Sequence, residues 1–105
     1  MVSVDDEYAE AVLRVVELIP PGRVMSYGVV AEVVGEVLGR GGPRQVGAVM
    51  SSLGGTVPWW RVVTANGRTP RGHERRALRD LIAEGTPLTA DGDRVDMRLA
   101  AWRPG

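Results

Sequence analysis

Apolar residues recur every three to four positions early in this chain, through Tyr8, Val12, Val15, Val16 and Ile19. That is the period of a helix with one buried face. Ser3 and Asp5 precede the run as candidate caps, and Pro20-Pro21-Gly22 stops it. Ser26 reads as the N-cap of a second helix, whose Val30, Val33, Val34, Val37 and Leu38 form one apolar stripe. Gly39-Arg40-Gly41-Gly42 is a turn, and Pro43 suits the first position of a third helix, about Pro43 to Leu53. That helix has two unlike faces. Val46, Val49, Met50 and Leu53 form the stripe expected to be buried, while Arg44, Gly47, Ala48 and Ser51 line the other side at the same spacing. Helix, short glycine-containing turn, helix is the pattern of a helix-turn-helix.

Past Leu53 the period changes. Gly54-Gly55-Thr56 is a flexible joint, and Val57 to Val63 reads as a short buried strand or extended segment with Pro58 at its start. Neighbours in extended backbone point to opposite sides, so the rings of Trp59 and Trp60 are expected to diverge. Asn66-Gly67 is a hairpin-type turn signal and predicts a small wing. His73 to Ala83 reads as a final helix with Leu78, Leu81 and Ile82 inward, Arg76 and Asp80 paired at i, i+4, and Glu84-Gly85 as its end. Arg94 to Leu99 alternates as a late edge strand would. The expectation is a single domain over residues 1–105, mostly α with a short β wing, of the winged helix-turn-helix class.

With 105 residues the chain can bury roughly two thirds of its unfolded surface, enough for an ordinary core. It contains no Cys, which removes disulfides, zinc–thiolate sites and thiol catalysis together. A lone His73 makes no metal cluster, Asp91, Asp93 and Asp96 lack the pattern of a calcium loop, and Ser51-Ser52 has no adjacent general base. No cofactor, no metal and no catalytic residue are therefore expected. The apolar runs are too short and too interrupted to span a membrane, and the acidic start is unlike a secretory leader. A cytoplasmic monomer is the expectation.

The charge balances to zero, but it is unevenly distributed. Residues 1–39 hold seven acids against two Arg, residues 40–79 hold eight Arg against one Glu, and residues 80–105 hold five acids against three Arg. The electropositive middle is the kind of footprint that phosphates seek. The outer face of the third helix agrees with it. Solvated faces usually carry long charged side chains, whereas Arg44, Gly47, Ala48 and Ser51 let something come very close, either a nucleic-acid groove or another helix of the same protein.

Four separated motifs narrow the choice. They are Pro21-Gly22-Arg23-Val24-Met25-Ser26-Tyr27-Gly28, Pro43-Arg44-Gln45-Val46-Gly47-Ala48-Val49-Met50, Val57-Pro58-Trp59-Trp60-Arg61-Val62-Val63 and Glu84-Gly85. In this order they resemble the O6-alkylguanine-DNA alkyltransferases, over about residues 8–88. In that family a Pro-Cys-His-Arg-Val run carries the thiolate that removes the alkyl group. Trp59 stands at the Cys and Trp60 at the His, a change similar to that in the alkyltransferase-like members, although those mostly keep the His.

The resemblance implies a non-catalytic sensor that flips O6-alkylguanine out of double-stranded DNA and flags it for nucleotide-excision repair proteins, nucleoid-associated while bound. It implies that Tyr27 pushes the DNA backbone and that Arg44 enters the duplex as a finger in the vacated space. Gly47, Ala48 and Ser51 would then allow close approach to the minor groove, and Trp59, with Pro58 beside it, would receive the base. Arg68 and Arg71 are candidates for the pocket rim, Arg61 for tying down the surrounding loop, and Arg75, Arg76 and Arg79 for phosphate contacts or simply a wetted face. Two other readings use the same pattern: a transcription regulator on undamaged DNA, and a protein-interaction domain that no longer binds DNA.

Overall fold

The computed structural model describes residues 4–105, with side chains from Asp6 onward; the Ser3 and Asp5 caps expected for the first helix fall outside that description. The first helix, α1 (Val4–Leu18), is followed by a short strand β1 (Met25–Ser26), α2 (Tyr27–Leu38) and α3 (Pro43–Leu53). Then come two 3-10 turns (Gly54–Thr56 and Trp59–Arg61), strand β2 (Val62–Val63), α4 (Glu74–Ala83) and a one-turn α5 (Met97–Ala100).

The helix boundaries follow from local chemistry. Ser26 caps α2 by accepting the Val29 N–H at 3.1 Å, and Gly39 closes it in the left-handed conformation with φ 69°. Pro43 opens α3, where the Gln45 side chain reaches back to accept the Gly42 N–H at 2.9 Å. Helices α1, α2 and α3 pack on one another around Tyr8, Val12, Val16, Val30, Val34 and Val46. Smaller than this helical core is a second cluster of Val24, Val63, Leu81, Val95 and Ala100.

The two cores meet at the sheet. β1 and β2 pair in parallel, Met25 with Val62 and Ser26 with Val63. Side chains alternate across a strand, so Met25 and Val62 enter the helical core while Val24 and Val63 enter the smaller one. A parallel pair needs a crossover connection, and α2 with α3 supplies it. The C-terminal segment returns beside β1, with Val24 donating to Ala100 at 3.0 Å and accepting from Trp102 at 2.8 Å.

Several expected details differ. Only Val62–Val63 of the Val57–Val63 segment is strand. Pro58 (φ −71°, ψ 71°) makes an inverse γ-turn in which Trp59 N–H reaches the Val57 carbonyl at 2.7 Å, and the chain then winds into a 3-10 turn. Asn66-Gly67 forms a tight turn closed between Thr64 and Arg68, not a two-stranded ribbon. Gly67 must be glycine: its φ is 86°, and a β-carbon there would lie 2.2 Å from the Val95 carbonyl oxygen. The alternation from Arg94 to Leu99 yields one bridge, Val95 to Leu88, before the Asp96 side chain caps α5. Val37 (80% exposed), Leu53 (48%) and Ile82 (59%) lie outside the stripes assigned to them, because a domain this small has too little interior for every apolar position. The expected Arg76–Asp80 pair is also absent.

One polar contact ties remote segments together. Arg61 donates Nε–H to Glu84 Oε1 at 3.0 Å, a second N–H to Glu84 Oε2, and a third to the Ile19 carbonyl at 2.9 Å. Both side chains are mostly buried, at 13% and 16% exposed. Burial alone would raise the Glu84 carboxyl, but hydrogen bonds from Arg61, the nearby Trp60 indole N–H, the Arg61 charge and the Gly22 N–H hold it below its ordinary value of 4.5. The folded state therefore binds fewer protons here than the unfolded chain. The stabilisation is complete above the ordinary carboxyl value and disappears as pH falls through the lower folded-state value. Glu84→Gln should cost about 1.5–3 kcal/mol at pH 7. In urea melts from pH 7 to pH 3, the gap between wild type and Glu84→Gln should close only below about pH 4.5; a gap independent of pH would refute this assignment.

Candidate nucleic-acid and base-binding site

A cavity of about 470 Å³ opens between the start of α2, the inner edge of α3, the 3-10 turns and the start of α4. That volume lies in the range of small-molecule sites. Tyr27 contributes the α2 wall, Gly47, Met50 and Ser51 the α3 wall, and Gly54 and Gly55 the joint. Trp59 lies against the joint, and Pro70, Arg71, His73 and Arg76 complete the opposite side.

Local backbone explains how Trp59 reaches this place. The γ-turn at Pro58 and the following 3-10 turn swing its indole toward α4, while Gly54 lets the end of α3 press close. A β-carbon on Gly54 would stand 3.5 Å from the Trp59 Cβ and 3.2 Å from the Met50 methyl. Trp60 goes the other way and packs on the smaller core. The two indoles meet edge to face, with centroids 5.8 Å apart and planes at 85°. The Arg61 guanidinium lies 5.5 Å from the Trp60 ring centre. The buried Trp60 indole N–H faces Glu84 closely enough to favour the carboxylate but closes no hydrogen bond of normal geometry. The rings thus diverge as expected, although not by strand alternation.

Of the residues singled out from sequence, Tyr27, Gly47, Ser51, Trp59 and Arg71 line the cavity. Arg44 and Ala48 are exposed on the same α3 face, beside it rather than within it. Pro58 acts by shaping the turn. Arg68 is a correction: it lies off the rim, 3.9 Å from Asp93 in an exposed pairing, because the Gly67 turn carries it toward the Asp91–Asp93 loop. Arg61 does tie down its loop, through the Ile19 carbonyl and Glu84. Burial pushes the Tyr27 phenol above its ordinary value of 10.0, so it remains a neutral hydrogen-bonding group.

His73 is a lining residue that sequence reasoning passed over, and Arg76, read from sequence as a phosphate contact or a wetted face, lines the cavity as well. Arg76 stands 5.7 Å from the Trp59 ring centre, and the His73 ring meets the same indole at 5.8 Å. The signal was present, since residues three apart share a helix face, but it becomes meaningful only once Trp59 is known to face α4.

Gly47 is informative for another reason. A glycine inside a helix costs about 0.5–1 kcal/mol relative to alanine, yet a β-carbon at Gly47 would meet nothing within 4 Å. Nothing in the described chain requires it. Gly35 in α2 is equally open but lies away from the cavity. Gly47→Ala and Gly35→Ala should each raise the thermal midpoint, and only Gly47→Ala should weaken binding of duplex DNA, by threefold or more on a scale where tenfold is about 1.4 kcal/mol. Equal binding by the two variants would show that Gly47 has no role in close approach.

Comparison with known proteins places this geometry. Residues 7–86 match the family described as the 6-O-methylguanine DNA methyltransferase DNA-binding domain. The chain is 34% identical over 102 residues to a DNA base-flipping protein of Escherichia coli K12, covering 93% of this chain and 76% of that one. It is 30% identical over 103 residues to a DNA base-flipping protein of Vibrio parahaemolyticus, covering 94% and 99%. Among solved structures it is similar to S. pombe Atl1 in complex with damaged DNA containing O6-carboxymethylguanine. The TM-score is 0.77 at 31% identity, over 94% of this chain and 97% of Atl1.

Proposed function

This chain belongs to the family of the 6-O-methylguanine DNA methyltransferase DNA-binding domain, and on that premise we propose that it is a non-catalytic sensor of O6-alkylguanine. It binds the lesion by flipping the nucleotide and flags it for nucleotide-excision repair proteins. The observation that carries this reading is Trp59, an indole facing a cavity of about 470 Å³ at the position where the family's repair enzymes hold a thiolate. A thiolate is a strong nucleophile and an indole is a poor one. With Trp60 at the neighbouring His position, the base that the family's repair enzymes use to activate the thiol is also missing from its place.

What remains is a receptor for a base. Extruding a nucleotide costs a few kcal/mol, less at a damaged pair, and stacking a base on an aromatic ring returns roughly 1–3 kcal/mol. The two nearly cancel, so a lesion that is easier to extrude and fits the cavity is selected. Tyr27 at the cavity wall displaces the DNA backbone, and exposed Arg44 enters the duplex, its planar guanidinium suited to stacking among bases. Gly47, Ala48 and Ser51 bring the α3 backbone close to the minor groove, and Arg71 closes the cavity side. The domain acts as a monomer over residues 1–105. The charge separation supports this geometry, since the Arg-rich middle segment carries both the α3 face and the cavity.

The direct test is competition between a duplex carrying O6-methylguanine and its unmodified twin, followed by analysis of the recovered DNA. Preferential binding with the methyl group intact is expected. Equal binding governed by flanking sequence would instead support a transcription regulator, and methyl loss would overturn the non-catalytic assignment. Arg44→Ala should weaken lesion binding at fixed salt far more than Arg79→Ala, and equal losses would remove the finger role. Trp59→Cys should not restore alkyl transfer, because Trp60 supplies no base at the position the family uses and His73 lies across the cavity outside that arrangement. Mass spectrometry of the variant after incubation with lesion DNA should find no alkylated cysteine, and a modified one at appreciable rate would contradict the argument.

A further inference from the structure

Three basic side chains, Arg71, His73 and Arg76, line the cavity, and among the described residues no carboxylate does. The carboxylate that begins α4, Glu74, lies outside the lining. Hydrogen bonds from its own N–H and from the Gly72 N–H hold its carboxyl below the ordinary range, with His73 and Arg71 adding to the effect. Arg76 is different. Among the described residues its guanidinium has no ion-pair partner, and it lies over the Trp59 ring at 5.7 Å. A guanidinium on an aromatic face is held in position, and its planar fork still projects donors past the ring edge.

From this arrangement we propose that the cavity discriminates among O6-alkylguanines by charge, preferring adducts whose alkyl group ends in a carboxylate, and that Arg76 is the residue that sets the preference. This rests on the lesion-sensor reading and adds to it the chemical class of the favoured lesion. A base stacked on Trp59 directs its O6 substituent along the cavity, where a carboxylate accepts paired hydrogen bonds from Arg76, with His73 on the same wall. A neutral substituent of the same shape offers the guanidinium weaker hydrogen bonds and no opposite charge. DNA phosphates attract all the exposed arginines alike, so only a group inside the cavity can separate two duplexes that differ solely at the adduct.

The experiment titrates three labelled duplexes at fixed salt, carrying O6-carboxymethylguanine, its neutral carbamoylmethyl counterpart, or guanine. Wild type should bind the carboxymethyl duplex roughly tenfold tighter than the carbamoylmethyl one, the size of one charge-assisted hydrogen bond. Arg76→Gln should bring that ratio close to one, and because Arg76 also holds the Trp59 ring it should lower the affinity for both adducts, the carboxymethyl one further. Arg76→Lys, which keeps the charge without the fork, should retain part of the preference. Arg44→Gln should weaken both adducts in parallel and preserve the ratio. A ratio near one in wild type, or one unchanged by Arg76→Gln, overturns this inference alone. Failure to prefer either adduct over guanine overturns the lesion-sensor reading and this inference with it.

Discussion

The Arg61 guanidinium, bound to the Glu84 carboxylate and to the Ile19 carbonyl, is the contact on which the arrangement of this molecule depends. It joins the end of α1, the turn that carries both tryptophans and the C-terminus of α4, three segments that share no strand or helix. A mostly buried pair is weak evidence for net stability, because desolvating both charges offsets most of their attraction. Its value here is geometric. With both carboxylate oxygens engaged and a third donor on a carbonyl, the guanidinium can take one position, and the preceding residues must wind into a 3-10 turn to deliver it. Trp59 faces the cavity as a consequence.

Around that fixed turn, the α3 face is open where an ordinary helix would carry long polar side chains. Gly47 and Ala48 leave helix backbone within reach of a partner, at a small cost in intrinsic helix stability. The acidic α1 and α2 stand in contrast. Arg103 from the C-terminal segment occupies Glu32 and Glu36 at 3.0 and 3.1 Å, and Arg40 is paired with Glu7 at 3.2 Å. Arg44, Arg71 and Arg76, near or within the cavity, have no such ion pairs among the described residues. Cations left without protein partners are the ones available to phosphates or an anionic ligand.

The sequence is most legible where one force acts alone. The Ser26 cap, the Pro43 start and the α3 boundaries could be read because capping chemistry and a 3.6-residue period are local properties. The family resemblance then pointed to Trp59 as the facing residue, and the structure puts its ring on the cavity. The turn itself was not legible, since Val57 to Val63 is apolar enough for a strand and only Arg61's distant partners reveal that it must coil. Arg68 failed similarly: its position follows from Gly67 docking on Val95, 28 residues downstream, with a hydrogen bond of 2.9 Å. Arg76 was read as a partner of Asp80 because i, i+4 pairs are the commonest local guess, and an aromatic ring from another segment was the stronger attraction.

Trp60 shows how two neighbouring substitutions act together. A histidine there could serve as a proton acceptor, whereas an indole cannot. Its buried N–H closes no hydrogen bond of normal geometry, an arrangement that costs on the order of 1–3 kcal/mol. That cost is offset by apolar burial in the smaller core, by the Arg61 guanidinium over its face and by its edge-to-face contact with Trp59. The last contact bears directly on function. An isolated surface tryptophan samples several rotamers, and ordering it on binding costs about 0.5–1.5 kcal/mol. Wedged between Trp60, His73 and Arg76, the Trp59 ring is already held where a base would stack. The same pair of residues that removes the chemistry of the site therefore improves it as a receptor.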